Sequence, residues 1–138
     1  MTQLLSADGT WLVSGNIAGE VVKLDEPLSF WGGFDTATGC VIDRSHPQHG
    51  ACLTGKVVAM PGSRGSSGSP GVLGESLRRG TGPAALLVTK ADVNLVAGAI
   101  TAEALYGVSC PILLIEQTNF NALSNGATVS ATAAKEQS

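Results

Sequence analysis

Charge is sparse in this sequence, and positive charge is sparser still. Only 14 % of the 138 residues are charged, and eight basic against eleven acidic residues leave a net charge of -3. Lys and Arg form no cluster, which argues against the basic footprint of a general nucleic-acid binder. Aromatic residues make up 4 % of the chain, so a core has to be assembled mainly from Ala, Val and Leu. Long apolar runs are missing as well: none approaches the roughly 20 residues that a membrane-spanning helix needs. Residues 1–9 hold neither a basic segment nor an apolar core, so no secretory signal is expected. Cysteine is limited to Cys40, Cys52 and Cys110. An odd count, without the density of a cross-linked small scaffold, reads as reduced thiols in a soluble, cytoplasmic protein.

What remains is 43 % hydrophobic and rich in small residues. The length suits one α/β domain spanning residues 1–138, with frayed tails at about 1–9 and 131–138. In the first half, "TWLVSGNIAGEVVKL" reads as two short strands joined by a Gly/Asn turn. "LSFWGGFDTATGCVID" reads as an aromatic loop followed by another short strand, and "RSHPQHGACLTG" is rich in turn formers. The pattern then changes. "KVVAMP" (56–61) and "PAALLVT" (83–89) are continuous apolar runs, the mark of strands buried on both faces. Between them "SPGVLGESLRRG" fits a helix, with Ser69 as N-cap, Pro70 at the first turn, Leu73 and Leu77 four apart and Gly80 just past the end. "VNLVAGAITAEALYG" predicts a second helix or helical turn and "CPILLIE" a third buried strand. "NFNALSNG" predicts a short helix closed by Gly126, and "ATVSATA" an edge strand. A β-rich first half thus leads into a βαβ core.

The segment "PGSRGSSGSPG" (61–71) joins the first buried strand to the first helix. By composition it is either a solvated linker or a site. Its position favours a site, because open α/β sheets bind ligands where a strand's carboxyl end feeds a helix N-terminus. Free backbone N–H groups and the helix dipole favour an anion there, and Gly62, Gly65 and Gly68 allow close backbone approach. The common loop chemistries do not fit. Gly-Lys-Ser/Thr of a nucleotide-binding loop is absent, the glycine spacing is not that of a dinucleotide fingerprint, and no serine sits in G-x-S-x-G. A serine cluster beside Arg64 remains, suited to an oxyanion or alkoxide.

Cys40, His46, His49 and Cys52 form a C-x5-H-x2-H-x2-C string of zinc-type residues. Its spacing matches no common structural module, and Pro47 and Gly50 interrupt it, so a turn in which a histidine bonds the backbone is the favoured reading. Asp35 and Asp43 lie in turn-type surroundings, where capping the local backbone is the default role. Trp11, Phe30, Trp31 and Phe34 read as core or interface aromatics.

The segments "SFWGGFDTATGCVIDRSHPQHGACLTGKVVAMPGSRGSSGSPGVL", "GPAALLV", "VAGAITAEALYG" and "CPILLI" together resemble the small subunit of the aconitase X proteins, over about residues 19–129. G-x-D-x-x-T-G, H-P-x-H-G and R-G-S-S-x-S occur in the order typical of that family. The resemblance implies a swivelling β/β/α domain similar to the fourth domain of aconitase. It also implies hydro-lyase chemistry on a hydroxy acid at a site shared with a large subunit, which carries the iron–sulfur cluster; no cluster ligand is then expected in this chain. Family members include cis-3-hydroxy-L-proline dehydratase and phosphomevalonate dehydratase, and the former is the preferred substrate type. The matching loop serine, implied to act as the base, is Ser66, with Gly62, Ser63, Arg64, Gly65 and Ser67 lining the substrate. Gly68 stands where aconitase-like loops carry an arginine, which leaves the grip on the substrate carboxylate to another group. A shared site further predicts an apolar patch on this chain. Two other functions stay open: a phosphocarrier using His46 or His49, and a non-catalytic anion-binding module.

Overall fold

Alternating side-chain direction along four short strands organises the molecule. The computed structural model describes residues 2–4, 9–61 and 69–132. The apolar runs form β6 (Val57–Met60) and β7 (Ala85–Val88), every residue of both being buried. They lie parallel, with Val57 opposite Ala85 and Met60 opposite Val88. β3 (Asn16–Lys23) runs parallel to β6 on one side, and β8 (Ile112–Leu114) parallel to β7 on the other. With β1 (Thr2–Leu4), β2 (Thr10–Val13) and β9 (Thr128–Thr132), the sheet order is β1-β9-β3-β6-β7-β8-β2. α2 (Ser69–Arg79) and α3 (Val93–Tyr106) are the crossovers β6-α2-β7 and β7-α3-β8.

Each face of the sheet has its own core. Val58, Met60, Leu86, Val88 and Ile112 pack with Leu73 and Leu77 of α2 and Leu95, Ala99 and Ala102 of α3. Val57, Ala59, Ala85, Leu87 and Leu113 point the other way, against Phe120 and Leu123 in and after α4 (Gln117–Ala122) and Val129 of β9. This is the mixed α/β swivel architecture expected from the sequence.

Several local expectations are corrected. The two strands around the Gly15 turn do not pair with each other: β2 joins β8 and β3 joins β6 and β9, so the chain crosses the sheet between them. Thr2–Leu4 is not frayed but pairs with β9, and β9 is therefore an interior strand flanked by β1 and β3 rather than an edge. "FWGG" is one helical turn, α1 (Phe30–Gly33), followed by a small hairpin of β4 (Phe34–Asp35) and β5 (Cys40–Val41). Phe30 and Phe34 meet edge to face at 5.3 Å inside the first core. α4 ends at Ala122, short of Gly126.

The expectation of three reduced thiols is also overturned. Cys40 and Cys52 face each other across an antiparallel bridge and are joined as a disulfide. Residues 41–51 double back between them, which sequence spacing alone does not reveal. Cys110 stays a free thiol, fully buried.

Candidate functional site

The 62–68 segment, and with it Gly62, Ser63, Arg64, Gly65, Ser66 and Ser67, lies outside the described residues. Its two ends are held by regular elements. It leaves the sheet at Pro61, directly after Met60, and it ends at Ser69, the first residue of α2. β6 sits between β3 and β7, so its carboxyl end is central in the parallel part of the sheet. The positive end of an 11-residue helix faces the end of the segment.

A close helix contact fixes where α2 begins. Gly98 of α3 lies against Pro70, and a Cβ at Gly98 would stand 2.9 Å from the Pro70 carbonyl oxygen and 3.0 Å from its Cα. Both are backbone atoms of the first turn of α2, so only a glycine lets the helices approach this far. Deeper along α2, Ser76 is buried and its hydroxyl donates to the Leu73 carbonyl at 2.7 Å.

Neighbouring strands end at the same edge. Val88 is the register partner of Met60, so Thr89 and the exposed Lys90 continue beside Pro61. Beyond β8, Glu116 and Gln117 join Thr10 and Thr89 around a cavity of about 340 Å³. On the β3 side, Lys23 is committed to structure: its ammonium donates to the carbonyls of Leu123 at 2.9 Å and Asn121 at 3.4 Å and stands 4.8 Å above the Phe120 ring. Asp25 and Gln48 exchange two hydrogen bonds, backbone N–H to Oε1 and Nε2 to Oδ2, both 2.9 Å.

The H-P-x-H-G segment is thereby a strap. His46 is buried; its Nδ1 accepts from the Gln48 N–H at 3.0 Å, which leaves Nε2 as the donor to the Glu26 carbonyl, also at 3.0 Å. That neutral tautomer is fully used, as the favoured turn reading required. Asp35 accepts from the Ala37 N–H at 2.9 Å and from the Thr38 hydroxyl at 3.0 Å. These bonds, the Ala37 one foremost, hold its carboxyl below the usual range. Gly39 has φ 76°, and a Cβ there would overlap the Thr54 hydroxyl. G-x-D-x-x-T-G therefore closes the β4–β5 hairpin. Asp43 likewise caps locally, taking the Ser45 N–H and hydroxyl.

Among the described residues no group of three His, Cys, Asp or Glu side chains could hold a metal ion. Cys40 and Cys52 are consumed by the disulfide. Burial pushes the Cys110 thiol up to about 12, so it stays protonated. These side chains do not fit an iron–sulfur cluster. The sequence reading missed the Asp25–Gln48 clasp, the disulfide and the Gly98 contact. Only the last had a signal, a glycine inside a helical pattern.

Comparison with known proteins agrees with this geometry. The family model of the aconitase X swivel domain matches residues 6–137. Cis-3-hydroxy-L-proline dehydratase of Pseudomonas aeruginosa is 46 % identical over 101 residues, covering 73 % of this chain and 17 % of that protein. The enzyme of the same name from Hypocrea jecorina is 39 % identical over 129 residues, covering 88 % of this chain and 22 % of the relative. The chain thus spans about one fifth of the length of these two relatives. The phosphomevalonate dehydratase small subunit of Methanothermobacter thermautotrophicus is 42 % identical over 88 residues, covering 64 % of this chain and 67 % of that subunit. The crystal structure of Thermococcus kodakaraensis aconitase X superposes with a TM-score of 0.78 at 29 % identity, over 88 % of this chain and 87 % of that one. A strand, serine-rich segment and helix in this order, within a chain matched almost end to end, place it in a family: this protein belongs to the aconitase X swivel domain family.

Proposed function

We propose that this chain is the swivelling small part of an aconitase X type hydro-lyase that works in the cytoplasm, and that it dehydrates cis-3-hydroxy-L-proline at a site shared with a large subunit. The observation that carries the reading is the exit of the serine-rich segment from the carboxyl end of the buried central strand β6 into the N-terminus of α2, in a chain that the swivel-domain model matches over residues 6–137. Identities of 46 % and 39 % to proteins named for hydroxyproline dehydration, over longer stretches than the 42 % match to a phosphomevalonate dehydratase small subunit, support the choice of substrate.

Ser66 takes the proton from C2, next to the substrate carboxylate. A serine hydroxyl is a weak base unless its anion is stabilised, and loop N–H groups together with the start of α2 supply that stabilisation. Gly62, Ser63, Gly65 and Ser67 form the wall around the substrate, and Arg64 grips its carboxylate. The C2–H bond breaks to Ser66, a C2–C3 double bond forms, and the C3–O bond breaks, the hydroxyl leaving as water with a proton drawn from solvent. The enamine then tautomerises to a pyrroline carboxylate. The iron–sulfur cluster of this family belongs, on this reading, to the large subunit.

Mixing the chain with its large subunit and offering cis-3-hydroxy-L-proline and phosphomevalonate separately tests the substrate. Turnover of the hydroxyproline alone supports the reading. Turnover of phosphomevalonate alone moves the chain to the other branch of the family, and turnover of neither by an iron-loaded complex contradicts the dehydratase role.

A further inference from the structure

α3 has two apolar sides, and the fold uses only one. Leu95, Ala99 and Ala102 face the sheet and are buried. At 3.6 residues per turn, Val93, Ala97, Ile100 and Ala104 align on the opposite side. All four are exposed, Val93 to 79 % and Ile100 to 52 %. Leu105 and Tyr106, in the last turn and off the line of this stripe, are exposed as well, and Glu103 is the single charge on the whole helix. Among the described residues, every large hydrophobic side chain left exposed lies on α3 except Ile42. A helix that is apolar on both sides is ordinarily buried on both.

Next to this stripe, a groove of about 210 Å³ runs between α2 and α3, with Gly71 and Gly74 in its lining. A Cβ at Gly71 would meet nothing within 4 Å, so the groove has room for an incoming side chain.

We propose that the outward face of α3 is the seat of the aconitase X large subunit; this rests on the function proposed above. In the two hydroxyproline dehydratase relatives, the stretch like this chain is 22 % and 17 % of the protein, so about four fifths of the polypeptide accompanies such a domain. A phosphomevalonate dehydratase relative of similar length is itself a small subunit. The stripe also begins in the right place. Val93 follows Asp92, which caps α3 just past the carboxyl end of β7, and β7 is the neighbour of the strand that releases the serine-rich segment. A partner seated on α3 from Val93 onward therefore reaches the edge where the shared site is built. The spacing of Val93, Ala97, Ile100 and Ala104 suits a helix or groove wall laid along it.

The test uses the separately purified large subunit of the same organism as the probe, with binding read by light interferometry. The variants are Val93→Ser with Ile100→Glu on the stripe and Ile42→Glu as an exposed apolar control elsewhere. Circular dichroism melting confirms that each variant folds. Binding by the wild type and the Ile42 variant, with at least a tenfold loss in the stripe variant, supports the proposal. Unchanged binding by a folded stripe variant overturns it and leaves the dehydratase reading intact. A wild-type dimer that the stripe variant disperses without affecting large-subunit binding also overturns it, because a second copy is then the occupant. A wild-type chain that fails to bind the large subunit removes both readings.

Discussion

Replacing Gly98 by alanine tests whether the start of α2 is fixed by its contact with α3. Two effects oppose each other. Alanine favours a helix interior over glycine by about 0.5–1 kcal/mol. The new Cβ, however, would lie 2.9 Å from the Pro70 carbonyl oxygen, a backbone atom of the facing helix. Side chains can swing aside; a helix backbone moves only with its whole first turn, and overpacking of that kind costs about 1–3 kcal/mol. The steric cost wins, for a net loss of about 1 kcal/mol, or roughly 3–5 °C in Tm for a domain of this size. Gly74 supplies the internal comparison, because a Cβ there would come no nearer than 3.9 Å to the Gly98 carbonyl oxygen. Gly74→Ala is expected to stabilise by about 0.5–1 kcal/mol through helix propensity alone. Chemical denaturation followed by circular dichroism reads both. Opposite signs support the reasoning, and a Gly98→Ala protein stabilised as much as Gly74→Ala refutes it. Because the serine-rich segment ends where α2 starts, Gly98→Ala is also expected to lower turnover in the assembled enzyme more than Gly74→Ala does.

Thiol labelling of the native, non-reduced protein is expected to modify none of the three cysteines, with Cys40 and Cys52 reacting after mild reduction and Cys110 only on unfolding; native labelling of Cys40 would contradict the disulfide. Replacing both Cys40 and Cys52 by serine is expected to cost about 2–3 kcal/mol, the scale for closing a short loop, measured as a shift in denaturation midpoint. The Asp35 carboxyl is held below its usual range by the Ala37 N–H and the Thr38 hydroxyl, so its stabilising contribution is present above the unfolded-state pKa and lost as pH falls through the lower folded-state value. Asp35→Asn is therefore expected to melt below the wild type at neutral pH and to converge with it in acid; a constant difference across that range would contradict the assignment.

The sequence is legible where one residue pattern answers to one environment. Continuous apolar runs in "VVAM" and "ALLV" mark strands buried on both faces, and the intervening Ser-Pro start and Arg-Arg-Gly end delimit α2 within a residue. Leu73 and Leu77, chosen by their four-residue spacing, both enter the core. The pattern is silent where the environment comes from distant chain. β9 alternates small residues with Thr and Ser, which suits an edge, yet Thr2–Leu4 returns to cover it. Cys40 and Cys52 meet only because residues 41–51 reverse direction, held by Gln48 on Asp25 and His46 on the Glu26 carbonyl. The second apolar side of α3 is present in "VNLVAGAITAEALY", but the segment reads there only as a helix or helical turn, with no side assigned. Only the packed fold separates the side that Leu95 buries from the side that Ile100 leaves exposed.

Turnover of cis-3-hydroxy-L-proline by this chain and its iron-loaded large subunit, compared with the same complex carrying Ser66→Ala, tests the central claim most directly. The account predicts a loss of product formation of about 100-fold or more, the scale for removing a general base, with the complex still assembled. Product formation at the wild-type rate by the Ser66→Ala complex would contradict it.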